Sequence, residues 1–353
     1  MTTLLLPWHT TFFEQWHAQS QRSHAYLLIA PEDTGGEAFL HQLAASVLCE
    51  KPNADHAPCG SCSGCQLLAA YSHPDLRVLR PSILDANHPV EELRPEKPSK
   101  HITIDDVREL ANMVNQTSHR GGTRVVLIYP AHKLNLNAAN ALLKTLEEPP
   151  ANTLFFLLAH DAKQLLPTII SRCQRVHLSR PSTAQAIAYL NQHCGDNPNW
   201  LNDLTQENGA VLRVAQLHST NYFTLQTQFI HALAQGKDMD ALKLAEQFDK
   251  HIKDADKAYL SGEARTLDMG VTLMWLQRWL HDGLLTAQGV GTPRYYAQHA
   301  KALTSLFKNM PTSLVQRAHA MQNMLLKEQR TSEHPLNIKI WLEKLLLQYT
   351  QLF

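Results

Sequence analysis

Four of the chain's six cysteines fall between residues 49 and 65, and three of them form Cys59-Gly-Ser-Cys62-Ser-Gly-Cys65, two overlapping Cys-x-x-Cys units. No other local feature restricts the fold as tightly. Cys-x-x-Cys spacing lets two thiolates converge on one ion at tetrahedral angles, and the small Gly and Ser spacers permit the turn this needs. Cys49, ten residues before Cys59, is the natural fourth donor, with His56 or His73 as the alternative for that place. Four thiolates, Cys49, Cys59, Cys62 and Cys65, would close a structural zinc site that leaves no position for water. A ferredoxin-type cluster would need a further Cys-Pro three residues on, where Gln66-Leu67-Leu68-Ala69 stands. Haem attachment needs His directly after the second cysteine, and Ser63 or Gln66 occupies that step. Free thiols account poorly for three cysteines in seven residues. Cys173 and Cys194 stand apart and read as small buried residues.

The remaining composition sets the class. At 353 residues the expectation is two to three domains. With 44% hydrophobic and 18% charged residues, each domain has enough apolar side chain for a core. Thirty-two basic residues balance thirty-two acidic ones, which argues against a protein whose main task is electrostatic grip on nucleic acid. No 18-residue apolar run suggests a transmembrane helix. The apolar start, Met1 to Pro7, lacks the basic region and cleavage site of a signal peptide, so the chain is expected in the cytoplasm. There, structural disulfides are not expected.

Strand and helix patterns alternate through the first half. Residues 26–30 read as a buried strand, followed by Gly35 and Gly36 and an apolar helical stretch. Further strands are predicted at 76–79, 125–129, 154–158 and 176–178. Val107, Leu110, Ala111 and Val114 follow helical spacing after Thr103 or Asp105 as cap. Ala139, Leu142, Leu143 and Leu146 do so after Asn135 or Asn137, and Pro149 ends that helix near Glu148. Such alternation implies a mostly parallel sheet. Residues 81–98 carry four prolines and read as an exposed insertion. Residues 182–218 read as short helices broken at Gly195, Pro198 and Gly209, and from about 222 the pattern is helical to the end. The last helix is predicted with Ser332 as cap and Pro335 near its first turn, then Leu336, Ile338, Trp341, Leu342, Leu345 and Tyr349.

The glycine turn invites comparison with a phosphate-binding loop, which needs Gly-x4-Gly-Lys-Ser/Thr. The chain offers Ala30-Pro31-Glu32-Asp33-Thr34-Gly35-Gly36-Glu37-Ala38. Glu37 replaces the lysine and Ala38 the hydroxyl residue, or Gly36 and Glu37 do so in the shifted register. Either way a carboxylate stands where phosphate charge would have to be neutralised. After the third strand, where a Mg²⁺-holding carboxylate belongs, the chain has Tyr129-Pro130. Two independent losses argue against an ATPase; periodicity alone leaves open that the glycines are simply a turn.

The run Leu-Asn-Ala-Ala-Asn-Ala-Leu-Leu-Lys-Thr-Leu-Glu-Glu-Pro-Pro at 136–150, then Phe155-Phe156-Leu157-Leu158 and Ser171-Arg172-Cys173, resembles the clamp-loader branch of the AAA+ superfamily, part of the bacterial DNA polymerase III holoenzyme. The resemblance runs nearly end to end, strong over 24–178, weak over 220–320, and visible again from Lys327 to Tyr349. It implies an α/β plus all-α chain. A RecA-like AAA+ domain with a zinc module would occupy 1–178, a small helical lid 179–220, and a helical C-terminal collar for oligomerisation 221–353. The family's subunits form an open ring of five that places the sliding clamp on primed DNA in DNA replication. Implied partners are the gamma/tau and delta subunits, with the beta clamp and primed DNA reached through the complex. Active gamma/tau relatives carry an intact phosphate loop, from which this chain departs at Glu37, Ala38, Tyr129 and Pro130. They also carry an arginine after Gly-Ser in the lid, where this chain has Gly209-Ala210-Val211-Leu212 and then Arg213. The resemblance therefore implies a non-hydrolysing stator with no ATP bound in cis, whose Arg172 serves as an arginine finger at a neighbour's ATP. Such a finger is a permanently charged planar fork that stabilises charge on a transferring phosphoryl group. The alternative is a divergent gamma/tau-like ATPase. A nucleic-acid module built on the cysteine loop is a third class, but residues 49–71 hold one Lys and no Arg.

Overall fold

The computed structural model describes residues 5–85, 90, 92, 94–114, 122–260, 266–331 and 337–353. It divides into two compact units, residues 1–186 and 187–353. Among the described residues, no helix is long and apolar enough to cross a membrane.

In the first unit, α1 (Thr10–Ala18) precedes β1 (Ala25–Ile29), which feeds through the glycine turn into α2 (Gly36–Leu48). Then come α3 (Ser63–Ala69), β2 (Leu76–Leu79), α4 (Ile104–Val114), β3 (Arg124–Ile128), α5 (Leu136–Glu147), β4 (Thr153–Ala159), the short α6 (Pro167–Ile170) and β5 (Gln174–His177). The five strands form one parallel sheet in the order β2-β3-β4-β1-β5. Each predicted strand is present, displaced by no more than two residues. Successive strand residues point to opposite faces. Tyr26, Leu28, Val125, Leu127, Phe156 and Leu158 pack with α1 and α2, whereas Leu27, Val126, Ile128, Phe155 and Leu157 pack with α4, α5 and α6. Burial on both faces explains why β3 and β4 read as continuous apolar runs rather than alternating ones.

Local chemistry fixes the helix starts. Thr103 Oγ1 accepts from the Asp106 N–H at 3.4 Å, and Asp106 Oδ2 accepts from the Thr103 N–H at 2.6 Å. This reciprocal box settles Thr103 over Asp105 as the cap of α4. Asn135 caps α5 through the Ala138 N–H at 2.8 Å. That bond positions the 136–150 run with its apolar side on the sheet.

The second unit is helical: the later part of α7 (Thr183–Cys194), then α8 (Trp200–Gln206), α9 (Val211–His218), α10 (Tyr222–Leu233), α11 (Ala241–Leu260), α12 (Met269–Ala287), α13 (Ala300–Phe307), α14 (Thr312–Thr331) and α15 (Ile338–Thr350). Gly195 and Gly209 adopt φ of +89° and +79° in the breaks flanking α8. The last helix starts later than its sequence signature predicts, because Asn337 supplies the cap by accepting from the Ile340 N–H at 3.2 Å. Ser332, Pro335 and Leu336 lie outside the described residues, as does part of the 81–98 insertion. Paired aromatics anchor the core: Trp279 Nε1 donates to Tyr349 Oη at 2.7 Å, and Tyr349 Oη donates to the Leu233 carbonyl at 2.7 Å.

The completely buried Asp282 accepts the N–H groups of Arg294, Tyr295 and Tyr296, each at 2.8 Å, and so pins the segment that leads into α13. An Asp282→Asn substitution keeps the shape but turns one acceptor into a donor facing N–H groups. It should cost roughly 2–4 kcal/mol of stability, read as a lowered thermal midpoint with no change in helix content at low temperature.

Candidate functional site

Three features lie in the first unit: a cluster of thiols, a glycine turn, and an arginine ahead of the edge strand.

The thiols converge because three local structures end at one place. Cys49 follows the last turn of α2, the loop brings Cys59 back to it, and Cys62 caps α3 with Cys65 one turn on. The four Sγ atoms lie within 4.8 Å of one another. Cys49 Sγ and Cys62 Sγ are 3.8 Å apart. A zinc tetrathiolate with bonds of about 2.3 Å has sulfur–sulfur edges of about 3.8 Å, so the spacing fits a tetrahedral ion. Backbone N–H groups already point at the sulfurs: Cys59 N–H to Cys49 Sγ at 3.3 Å, Cys62 N–H to Cys59 Sγ at 3.3 Å, and Cys65 N–H to Cys62 Sγ at 3.4 Å. Hydrogen bonds from the Ser61 and Cys62 backbone bring the Cys59 thiol down to about 6. Burial, with Cys62 alongside, pushes Cys65 up to about 12. Gly64 is required, since a Cβ there would stand 2.6 Å from the Leu48 carbonyl oxygen. The alternative histidine donors are engaged elsewhere. His56 stacks on His17 with ring centres 4.4 Å apart, and His73 Nδ1 accepts from the Asp75 N–H at 3.2 Å. Cys173 is buried as expected, but Cys194 is exposed: it shares the side of α7 that carries the packed Ala186 and Leu190, yet it is the helix's last residue.

The glycine turn lies at the C-terminal edge of β1, where a parallel sheet of this order binds its ligands. Gly35 takes φ of +91°, which favours glycine, and a Cβ on Gly36 would meet Ala30 Cβ at 2.9 Å. The chain's own N-terminal segment covers the turn. Leu6 Cδ1 would be 2.0 Å from a Cβ on Gly35, and Trp8 Nε1 donates to the Thr34 carbonyl at 2.8 Å. His9, 1% exposed, packs beside Gly35 and Phe39, and neither ring nitrogen has a hydrogen-bond partner among the described residues. Glu37, in the first turn of α2, is 3.7 Å from Arg80. Arg80 also donates to Tyr129 Oη at 3.2 Å and pairs with Asp85, and His41 Nε2 lies 2.8 Å from Tyr129 Oη. Tyr129 thus stands beside the first turn of α2 as the centre of a polar cluster. The N-terminal strap and Arg80 escaped the sequence reading. The only signal for the strap in the sequence is the apolar character of Met1 to Pro7.

Arg172 follows α6, whose first residue Pro167 fixes the turn, and precedes β5. Its side chain is 31% exposed and pairs with Glu147 at the end of α5. Arg213, in the second unit, is held by the buried Glu207, with Nε donating at 3.0 Å.

A parallel five-stranded sheet with a glycine turn, α5 with the Glu-Glu-Pro-Pro that closes it, and a Ser-Arg-Cys corner defines a chain of the AAA+ clamp-loader class. The family model described as DNA polymerase III, delta subunit, matches residues 8–182. A DNA polymerase III subunit delta' from Pseudomonas aeruginosa is 37% identical over 231 residues, 65% of this chain and 66% of the relative. The subunit delta' of Yersinia pestis is 30% identical over 295 residues, 81% of this chain and 78% of that one. A DNA polymerase III subunit tau from Bacillus subtilis is 30% identical over 174 residues, 49% of this chain and 28% of the relative. The matches span 52–66% of the length of the first curated relatives. The chain belongs to the DNA polymerase III subunit delta' family.

Burial holds His9 and His41 neutral down to about pH 4, Arg80 adding to the effect at His41. Their folded values lie below the unfolded value of 6.5, so the unfolded chain takes up protons first. The stability they permit is complete above about pH 6.5 and is lost as pH falls toward 4. His9 alone carries on the order of 3 kcal/mol of this effect. His9→Phe keeps the aromatic packing and removes the titration. Its thermal midpoint relative to wild type should rise between pH 7.5 and pH 5, and an unchanged difference would contradict the assignment.

Proposed function

We propose that this chain is a non-hydrolysing stator of the DNA polymerase III clamp loader, which completes a neighbouring subunit's ATP site with Arg172 while holding no nucleotide itself. The observation that carries this reading is the contrast between two corners of one domain. At the glycine turn, Leu6 packs on the backbone that would cradle phosphate, and Glu37 and Tyr129 take the places of the charge-neutralising lysine and the Mg²⁺ carboxylate. At the Ser171-Arg172-Cys173 corner, a permanent cation remains partly exposed beyond the sheet. A guanidinium is suited to charge on a transferring phosphoryl group and must reach it from outside the cradle. A subunit without a working cradle can therefore still contribute one. Arg213, engaged by Glu207, is consistent with no arginine being supplied in cis.

On this reading the partners are gamma/tau subunits, whose ATP receives Arg172, and the delta subunit. The beta sliding clamp and primed DNA are reached through the assembled ring in the cytoplasm. The RecA-like domain occupies 1–178, a helical lid 179–220, and a collar 221–353 that serves oligomerisation. The chain is then no enzyme alone but a part of a DNA-directed DNA polymerase, a nucleotidyltransferase. Cys49, Cys59, Cys62 and Cys65 hold a structural zinc ion. The donor set, soft and closed, leaves no open position for chemistry, and the ion's role is to tie the end of α2 to α3.

Arg172→Ala should leave the subunit folded and incorporated, and should lower the DNA-stimulated ATPase of the reconstituted complex by about 10³-fold or more at the affected site. An unchanged rate would remove the finger role. Metal analysis of protein prepared without chelator should find about one zinc per chain. Cys62→Ser should lose it and increase hydrogen exchange over residues 49–71, with no change in the sheet.

A further inference from the structure

The Arg172 guanidinium is not idle in its own subunit. Nη2 donates to Glu147 Oε1. Nη1 donates to the Thr168 carbonyl at 2.8 Å and approaches Ser171 Oγ at 3.4 Å. The Nε–H is buried and has no partner among the described residues. A guanidinium offers five N–H groups, one on Nε and two on each Nη. Both on Nη1 and one on Nη2 are turned to the chain's own atoms and the Nε–H is enclosed, which leaves one Nη2 N–H. Phosphate is taken best by two parallel N–H groups of the fork. Held this way, Arg172 cannot present such a pair outward.

We propose that Glu147 is a latch on Arg172: its carboxylate competes with the neighbouring subunit's phosphate for the guanidinium and so restrains ATP hydrolysis until the ring is engaged with DNA. This rests on the arginine-finger reading above. Glu147 is a positioning residue that acts only through Arg172.

The strength of the contact suits a reversible device. Glu147 is 49% exposed and Arg172 31%, so the pair is well solvated. Exposed ion pairs bias an equilibrium by a few-fold, up to roughly 5-fold. The enclosed Nε–H works against the latched rotamer, because a buried donor without an acceptor is unfavourable. A phosphate of higher charge, presented with two acceptor oxygens, outcompetes a single carboxylate oxygen. The two anchors also sit on separate elements, Glu147 at the end of α5 and Thr168 on α6, so a small shift of α6 against α5 changes the hold on the fork.

The test uses the full complex, reconstituted with its ATP-binding partner subunits, and compares ATPase rates without and with primed DNA and clamp. Glu147→Gln should raise the DNA-independent rate by roughly 2- to 5-fold and lower the ratio of stimulated to basal rate. Glu147→Lys, which repels the guanidinium, should raise the basal rate at least as far. Adding Arg172→Ala to either should return the complex to the low rate of Arg172→Ala alone. Thermal melts of the free subunits check that each variant is folded, and Glu147→Asp, which keeps the charge on a shorter stem, should fall between wild type and Glu147→Gln. If Arg172→Ala lowers the rate but Glu147→Gln and Glu147→Lys leave the basal rate unchanged or reduce it, the latch is wrong and the finger stands. If Arg172→Ala has no effect, the finger reading itself fails and the latch with it.

Discussion

At Gly35 the backbone takes a left-handed turn, and Leu6 packs onto it so closely that any side chain there would collide with it. A phosphate-binding loop works by leaving its N–H groups open to an anion. Here the same turn is covered by apolar side chains, with Trp8 tied to the Thr34 carbonyl beneath them. The covering is part of the core: Trp8 and Leu6 are each 6% exposed, and His9 beside them is buried with Phe39. Opening the turn for a nucleotide would expose that surface. The proposed function rests on this closure, because a covered glycine turn directs attention to the other end of the sheet's chemistry, the Ser171-Arg172-Cys173 corner.

At the Arg172 corner the fold has the features that the proposed role across an interface would need. The arginine follows a short helix begun by Pro167 and leads directly into β5, which is paired along β1. Its backbone is therefore held next to the sheet while its side chain stays 31% exposed. The polar cluster at Tyr129 has the opposite character. Arg80, Asp85, Glu37, His41 and Tyr129 contact one another beside the first turn of α2, so the Arg80 guanidinium is engaged by two carboxylates of its own chain. One cation is used up internally and the other is left near the surface with a weakly held counter-charge.

Much of this was legible in the sequence where a residue's local chemistry decides its structure. The continuous apolar strands, the capping by Thr103 and Asn135, and the convergence of four cysteines each leave a mark in a short stretch of sequence, and each was readable. What escaped depends on contacts that no spacing encodes. Leu6 meets Gly35 and Trp8 meets Thr34 across more than twenty residues of chain, and Arg80 meets Tyr129 across nearly fifty. The same limit explains two local differences. The last helix starts behind Asn337, later than the pattern after Ser332 predicts, and Cys194 is exposed because no spacing shows that α7 ends on it. The Glu147 contact could not be read at all, since a Glu beside two prolines has no signature that pairs it with an arginine 25 residues on.

The most direct test of the central claim is isothermal titration calorimetry of Mg²⁺-ATP into the isolated chain. The account predicts no saturable heat at millimolar nucleotide, because the strap and Glu37 occupy the cradle. Saturable binding in the micromolar range, lost on substitution at the glycine turn, would contradict it.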